Sequence, residues 1–347
     1  MLLVEDDEED YEFAKDLLAE LKTPRHHLAW ARNYTDAITA AHGQAFDVCF
    51  VDYRLGGAET GIDVARKLIA DSRRTPIILL TGVDDREVDE AASRIGAADF
   101  LVKSELTAAM LDRAMRYAIQ SHAALRELEA SYRATVHALA AALELRDDAT
   151  GAHAARVTEL ALRLAAQVAP ELVKQPELEY GFLLHDLGKI GVPDTVLLKP
   201  GPLSEYERTL IERHVALGQR ILAEIPYLQG LASQVVVSHH ERWDGIGYPR
   251  QLQGEQIPLA ARIFAIVDAF DAMTNDRPYR SARSIEIALS QIELGAGSQF
   301  DPQLARAFID LVRSDQDLNN GSAASREAAT RMQDGDGCRP TAAADPA

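Results

Sequence analysis

Up to about residue 120, short apolar runs alternate with amphipathic or polar stretches: "LLVE", "HLAWA", "FDVCFVDY", "TPIILLTG" and "ADFLVK" each precede a segment of helical period. Runs this short and this uniformly apolar suit strands buried on both faces. Strands alternating with helices predict a doubly wound α/β domain built on a five-stranded parallel sheet. From Leu111 onward the strand signals stop. Leu111, Ala114, Ala118, Ser121, Leu125, Leu128, Tyr132, Thr135, Leu139 and Ala142 follow steps of three and four, which predicts one long helix over about 106–142. Its seam suits either a second copy of the chain or the buried face of a single connecting helix. Residues 137–313 read as helix after helix, with loops at 190–203 and 241–258. The stretch 314–347 is Ala, Asp, Gly, Ser and Pro without periodicity, the composition of a disordered tail.

Composition narrows the choices. A length of 347 residues allows two or three ordinary domains, and 47% hydrophobic residues suffice for their cores. A formal charge of −18 argues against DNA binding, which needs Lys and Arg on phosphates. No run approaches the roughly 20 apolar residues of a membrane span. "MLLVEDDEED" lacks the basic-then-apolar order of a signal peptide, and Cys49 and Cys338 stand far apart in unlike contexts. Both features point to a reducing, cytoplasmic setting.

Carboxylates gather where open α/β sheets bind ligands, at the carboxyl ends of strands. Glu5 and Asp6 end the first predicted strand, Asp52 the third, Thr81 the fourth and Lys103 the fifth. Any one of these is an ordinary solvated loop residue; all five at strand ends describe a site. Converging carboxylates suit Mg²⁺, and the hydroxyl and ammonium add donors at the same edge. The arrangement resembles the flavodoxin-like receiver domain of bacterial two-component response regulators, over residues 1–120. That resemblance implies Mg²⁺ on Glu5 and Asp6, Asp52 as phosphoacceptor from a cognate sensor histidine kinase, and Thr81 and Lys103 as phosphoryl contacts. Phe100 falls at the aromatic switch position, and Ser104 replaces the proline usual after the lysine.

Histidines mark the second half. His153, His185, His214, His239 and His240 lie between residues 153 and 240, with Asp186 beside His185. Neutral imidazole binds first-row transition metals, and carboxylates complete or bridge such sites. His153 shares a helical stripe with Val157, Leu160, Ala161 and Leu164, and His214 shares one with Leu210, Leu217 and Ile221, so both are expected to face inward. A single inward histidine is usually a satisfied core residue. Two of them, with a His-Asp and a His-His pair, would need too many separate polar partners. Asp268, four residues after Phe264 in "RIFAIVDAFDAMT", offers a further carboxylate; a water-facing Asp268 and Asp271 is the weaker reading because their neighbours are apolar.

"HDLGKIGVPDTVLLKPGPLS", "HHERWDGIGYP" and "DAFDAMTNDRPYR" resemble the HD-GYP family of metal-dependent phosphodiesterases that hydrolyse cyclic di-GMP, an all-α fold of the HD superfamily, over residues 137–313. The resemblance implies His153, His185, Asp186, His214, His239, His240 and Asp268 as ligands of two divalent transition-metal ions, iron favoured over manganese. It makes Asp186 the bridging carboxylate and, with His185 and Lys189, part of the catalytic set, Lys189 lying by the scissile phosphate. Members with a third metal carry a glutamate four residues before the first histidine; Ala149 holds that position here and has no donor atom.

Two metals about 3.5–4 Å apart supply a nucleophile at neutral pH and relieve charge on the phosphoryl oxygens. A bridging water would attack in line, giving pGpG or, after a second cut, GMP. Tyr248 and Trp243 offer flat faces to guanine, and Gly245 and Gly247 allow close backbone approach. Arg277 and Arg280 are placed to clamp the other phosphate or a guanine edge. Receiver and hydrolase in one chain imply that phosphorylation of Asp52 controls turnover through the connecting helix. Two rival readings keep the metal site: a binding module that recruits partner proteins at the Gly-Tyr-Pro loop, and a phosphodiesterase for another cyclic dinucleotide.

Overall fold

A computed structural model describes residues 1–21, 26–71, 75–82, 86–147, 153–276 and 281–314. Ala149, Arg277, Arg280 and the expected tail beyond Ser314 lie outside the described residues. The chain divides into two compact units, Met1–Tyr132 and Arg133–Ala347.

In the first unit, β1 (Leu2–Val4), α1 (Glu8–Ala19), β2 (Ala29–Ala31), α2 (Tyr34–Gly43), β3 (Cys49–Asp52), α3 (Gly61–Asp71), β4 (Ile77–Thr81), α4 (Arg86–Ile95) and β5 (Asp99–Val102) alternate, and α5 (Ala108–Asp147) follows. The strands form one sheet in the order β2-β1-β3-β4-β5, every pair parallel. Successive side chains point to opposite faces of a strand. Leu3, Phe50, Ile78 and Leu80 therefore pack with Ala14 and Leu18 of α1 and Leu111, Ala114, Met115 and Ala118 of α5. Leu2, Val4, Cys49, Val51, Ile77 and Leu79 pack on the other side with Ala37, Val64, Ala65 and Ala92. Both faces are covered, which is why the strands are apolar except at ends such as Asp52, Thr81 and Asp99. Each large side chain buried this way contributes about 1.5–3 kcal/mol.

The long helix starts at Ala108 and ends at Asp147, five residues beyond the 142 expected from its seam. The seam stops at Ala142, but Leu143, Glu144, Leu145 and Arg146 are strong helix formers and carry the helix on. Leu111, Ala114 and Ala118 are buried in the first unit, whereas Leu125, Leu128 and Leu139 are 57%, 65% and 47% exposed. Val136 and Ala140, one position off the seam, are the residues buried in the second unit. Beyond Ala118 the seam is thus not the buried face of α5.

The second unit continues with α6 (His153–Val168), α7 (Pro176–Leu183), a 3-10 turn at Leu187–Gly191, α8 (Asp194–Leu197), α9 (Glu205–Glu212), α10 (His214–Ala223), α11 (Leu231–Ser238), α12 (Leu259–Thr274) and α13 (Ile285–Gly295); residues 302–314 are also helical. The stretch expected as a loop over 190–203 holds the single turn α8, started by Pro193 with its fixed φ. Val157, Ala161, Leu164, Phe182, Ile263, Phe264 and Phe308 centre the core. Phe182 stacks on Phe264 at 5.2 Å, and the Phe264 ring lies 4.6 Å from that of His185, so the core forms one wall of the histidine cluster. No helix among the described residues is long and apolar enough to cross a membrane.

Candidate metal centre

Three histidines stand at helix junctions, where the last carbonyls of a helix lack intrahelical donors. His185 follows α7 and its Nδ1 lies 2.9 Å from the carbonyl oxygen of Phe182. His214 follows α9 and sits 2.7 Å from that of Ile211; His239 caps α11 and sits 3.0 Å from that of Val236. A carbonyl only accepts, so each Nδ1 carries a proton and each ring, when neutral, presents the Nε2 lone pair. One local rule thus satisfies three helix ends and aims three donor atoms inward. The stripe expected for His214 does not form. The chain turns at Arg213 between α9 and α10, so Leu210 belongs to another helix and Ile221 is exposed, while Val215, Gly218 and Leu222 face inward with His214.

The donor atoms fall into two groups, Asp186 with His214, His239 and His240, and His153 with His185 and Asp268, each within 4.8 Å of one another. Asp186 faces both. Its Oδ1 is 3.4 Å from His214 Nε2 and 4.0 Å from His239 Nε2, and its Oδ2 is 3.1 Å from His185 Nε2. Across the second group, His153 Nε2 is 3.4 Å from Asp268 Oδ1. Burial lowers the pKa of His214, lowers that of His239 far below the ordinary range and brings His240 to about 4, so these rings are neutral. For His185, burial lowers the value but the Asp186 carboxylate outweighs it, and the net direction is upward. Burial raises the Asp186 carboxyl; Lys189 and His185 together overcome this and hold it well below the carboxylate range. Neutral imidazoles and ionised carboxylate are the donor set first-row transition metals take, so these residues fit the implied divalent ions.

Lys189 lies in the 3-10 turn and its Nζ is 2.9 Å from Asp186 Oδ2. Gly188 allows this turn to press on α10: a Cβ there would stand 1.8 Å from the His214 carbonyl oxygen. The Tyr248 ring stacks on His240 at 4.7 Å, at the edge of the donor cluster. Gly247 is required by backbone approach, since a Cβ would lie 2.4 Å from the Arg242 nitrogen. Gly245 adopts φ of +78°, a conformation glycine favours. Trp243, expected as a guanine platform, is half-buried. The Arg262 guanidinium stands 5.8 Å from its ring centre, and Arg262 itself pairs with buried Asp301 at 2.7 Å.

Asp271 is the residue the sequence reading undervalued. It is buried, its Oδ2 is 2.6 Å from His153 Nδ1, and Arg156 Nε donates to its Oδ1 at 3.0 Å. Burial raises its carboxyl, but His153 and Arg156 keep it ionised, below the ordinary value. Asp271 thus does for His153 what carbonyls do for the other three. Its signal was present, three residues after Asp268 and hence on the same face of α12. Asp271→Asn should weaken metal affinity about 10- to 100-fold, the usual effect of losing an outer carboxylate, as read by chelator competition on the purified protein. Unchanged affinity would refute this role.

In the first unit, Glu5, Asp6 and Asp52 bring carboxylate oxygens within 4.8 Å of one another. Lys103 Nζ donates to Glu5 at 2.7 Å and to Asp10 at 2.6 Å, and lies 3.2 Å from Asp52 Oδ2. Asp10 was not singled out from sequence. Burial pushes Glu5 up to about 7 and raises Asp52 against the pull of Lys103. Burial opposes the Lys103 charge, but Asp10, Glu5 and Asp52 together hold its pKa above the ordinary value. Thr81 is buried at the end of β4, and half-buried Phe100 packs with the α3 and α4 side of the sheet.

Residues 1–115 match the response regulator receiver domain family and residues 137–304 the HD domain family. The cyclic di-GMP phosphodiesterase response regulator RpfG of Xanthomonas campestris pv. campestris is 36% identical over 295 residues, 79% of this chain and 78% of that protein. A cyclic di-GMP phosphodiesterase of Thermotoga maritima is 31% identical over 345 residues, 92% of each. The 3'3'-cGAMP-specific phosphodiesterase 2 of Vibrio cholerae is 35% identical over 185 residues, 53% of this chain and 35% of that protein. With its donor groups gathered at the helix ends of one unit and its carboxylates at the strand ends of the other, the chain belongs to the family of response regulators that join a receiver domain to an HD domain.

Proposed function

We propose that this chain is a cyclic di-GMP phosphodiesterase whose turnover is set by phosphorylation of Asp52. The observation that carries the reading is Asp186, one oxygen turned to each donor group and Lys189 at 2.9 Å. Divalent ions held by the two groups would lower the pKa of water and neutralise phosphoryl oxygens. The chain's own residues do the rest. His153, His185 and Asp268 would hold one ion and His214, His239 and His240, with Asp186, the other. The Lys189 ammonium adds positive charge where the phosphodiester oxygens would lie, and the Tyr248 ring is placed to meet a base. Iron or manganese in this site and Mg²⁺ beside Asp52 are the ions of this reading. A sensor histidine kinase is the phosphoryl source.

The test is initial-rate hydrolysis of cyclic di-GMP, 3'3'-cGAMP and cyclic di-AMP by protein purified without oxygen, with metal content measured on the same sample. The expected result is the highest kcat/KM on cyclic di-GMP, with pGpG as first product. Preference for cGAMP, the substrate named for the Vibrio relative, would overturn the substrate. No hydrolysis with both metals bound would favour the binding module, for which Ile246, 77% exposed in the glycine-rich loop, is the docking residue. Regulation predicts that a small-molecule phosphodonor changes turnover of the native protein and leaves Asp52→Asn unchanged; equal responses would sink it. The bare Leu125, Leu128 and Leu139 row fits a second copy of α5. Leu125→Glu with Leu128→Glu should then convert a dimer to a monomer in analytical ultracentrifugation, and an unaltered mass would rule out that seam.

A further inference from the structure

Arg146, in the last turn of α5, reaches into the segment that carries Lys189. Its Nη1 donates to the carbonyl oxygens of Lys189 at 3.0 Å and Ile190 at 2.7 Å. Its Nη2 donates to Val192 O at 2.6 Å and Asp194 Oδ1 at 2.7 Å, and Nε donates to the same carboxylate oxygen at 3.0 Å. A guanidinium has five N–H donors, and these five bonds use all of them. Arg146 lines the same cavity as His153, His185, Asp186 and Lys189, yet it has no donor left for a substrate phosphate.

Every acceptor lies between residues 189 and 194, so the whole hydrogen-bonding capacity of this side chain is spent on one short segment. That segment needs it. A 3-10 turn has poorer hydrogen-bond geometry than an α-helix, and Ile190 within it is 58% exposed. Exposed turns with few buried apolar contacts open most easily. One side of the turn is fixed by buried Leu187 and by Gly188 pressed on α10; the exposed side, at Ile190 and Gly191, is fixed by Arg146 through the backbone of Lys189 itself.

We infer that Arg146 is a positioning residue for Lys189, holding the turn so that the ammonium stays against Asp186, and that the last turn of α5 is thereby tied to the reacting centre. This rests on the phosphodiesterase reading and on Lys189 acting in it. Arg146 stands one residue before the end of α5, in the second unit. A shift of this last turn would therefore be felt at the backbone of Lys189.

The test is a double-mutant cycle on the full chain, with metal content determined for every variant. Arg146→Ala should lower kcat about 10- to 100-fold, the cost of a catalytic group misplaced by around 1 Å, with KM and bound metal little changed. Arg146→Lys should recover part of the loss, since one ammonium cannot reach the carbonyls and Asp194 together. In a Lys189→Ala background, Arg146→Ala should cost less than about threefold, because residues acting as a unit are non-additive. The full loss repeated in that background, or no loss from Arg146→Ala alone, would overturn the inference. If Arg146→Ala loses its metals, the cycle is run with Arg146→Lys, to which the same criteria apply. A Lys189→Ala variant with undiminished kcat would remove the underlying reading of Lys189 and the inference with it.

Discussion

Asp186→Ala is expected to lower hydrolysis of cyclic di-GMP by at least about 1000-fold, since one group stabilising charge at a reacting centre is worth 10²–10³ and in the proposed reading this residue would also hold both metal positions. Its two oxygens stand 3.4 Å from His214 Nε2 and 3.1 Å from His185 Nε2, one toward each donor group. Alanine leaves one group with three imidazoles and the other with two imidazoles and Asp268, and nothing to join them. Bound metal should fall below the native content. A metal that binds only the folded state raises its stability by mass action, so the native protein should melt higher with metal than after chelation. In Asp186→Ala that difference should largely vanish. Full metal content and a native-like metal-dependent rise in Tm in the inactive variant would remove Asp186 from the bridging position. Retained turnover would remove it from the reaction.

How much of this was legible in the sequence depends on whether a residue's role is set by its own element or by a distant one. The strands were legible because both sheet faces are covered, which makes the Ile77–Leu80 centre of "TPIILLTG" apolar at four successive positions. His153 was legible because α6 is continuous and Val157, Ala161 and Leu164 share its buried face. His214 is buried as expected, but not for the expected reason: its stripe assumed one helix, whereas the chain turns at Arg213 and the ring is directed by the Ile211 carbonyl. The seam of α5 was visible, but its neighbours were not; Val136 and Ala140, off the seam, are what the second unit buries. Asp271 reads as inward-facing from its apolar neighbours, but its partners show only in the fold, where His153 and Arg156 meet it from α6. Asp10 and Arg146 carry no signal in their own neighbourhoods. One is paired with Lys103, ninety-three positions away, and the other is bonded to a turn more than forty positions on, contacts that only the folded chain brings together. The two aromatic rings expected beside the substrate differ in the same way: Tyr248 stacks beside His240, while Trp243 has the Arg262 guanidinium 5.8 Å from its ring, a neighbour no local pattern indicates.

Lys189→Ala should lower kcat about 10²- to 10³-fold, the cost of removing one placed charge from a reacting phosphoryl group, while both metals remain bound. The two halves of this result have separate causes. A protonated ammonium has three donors and no lone pair, and the carboxylate beside it is already paired with His185 at 3.1 Å. Lys189 therefore contributes charge to the site without holding the ions, and alanine removes that charge from the outer side of Asp186 Oδ2, where Nζ now stands at 2.9 Å. Because the charge matters most as negative charge builds on phosphorus, kcat should fall much more than KM rises. Inductively coupled plasma analysis and steady-state kinetics on the same sample decide the matter. Metal lost along with activity would make Lys189 a support for Asp186. A rise in KM with kcat unchanged would make it a substrate anchor. Only metal retained with kcat lost matches an ammonium that acts on the transition state, and it is this pattern, set against the metal loss in Asp186→Ala, that separates the residue holding the ions from the residue answering the phosphate.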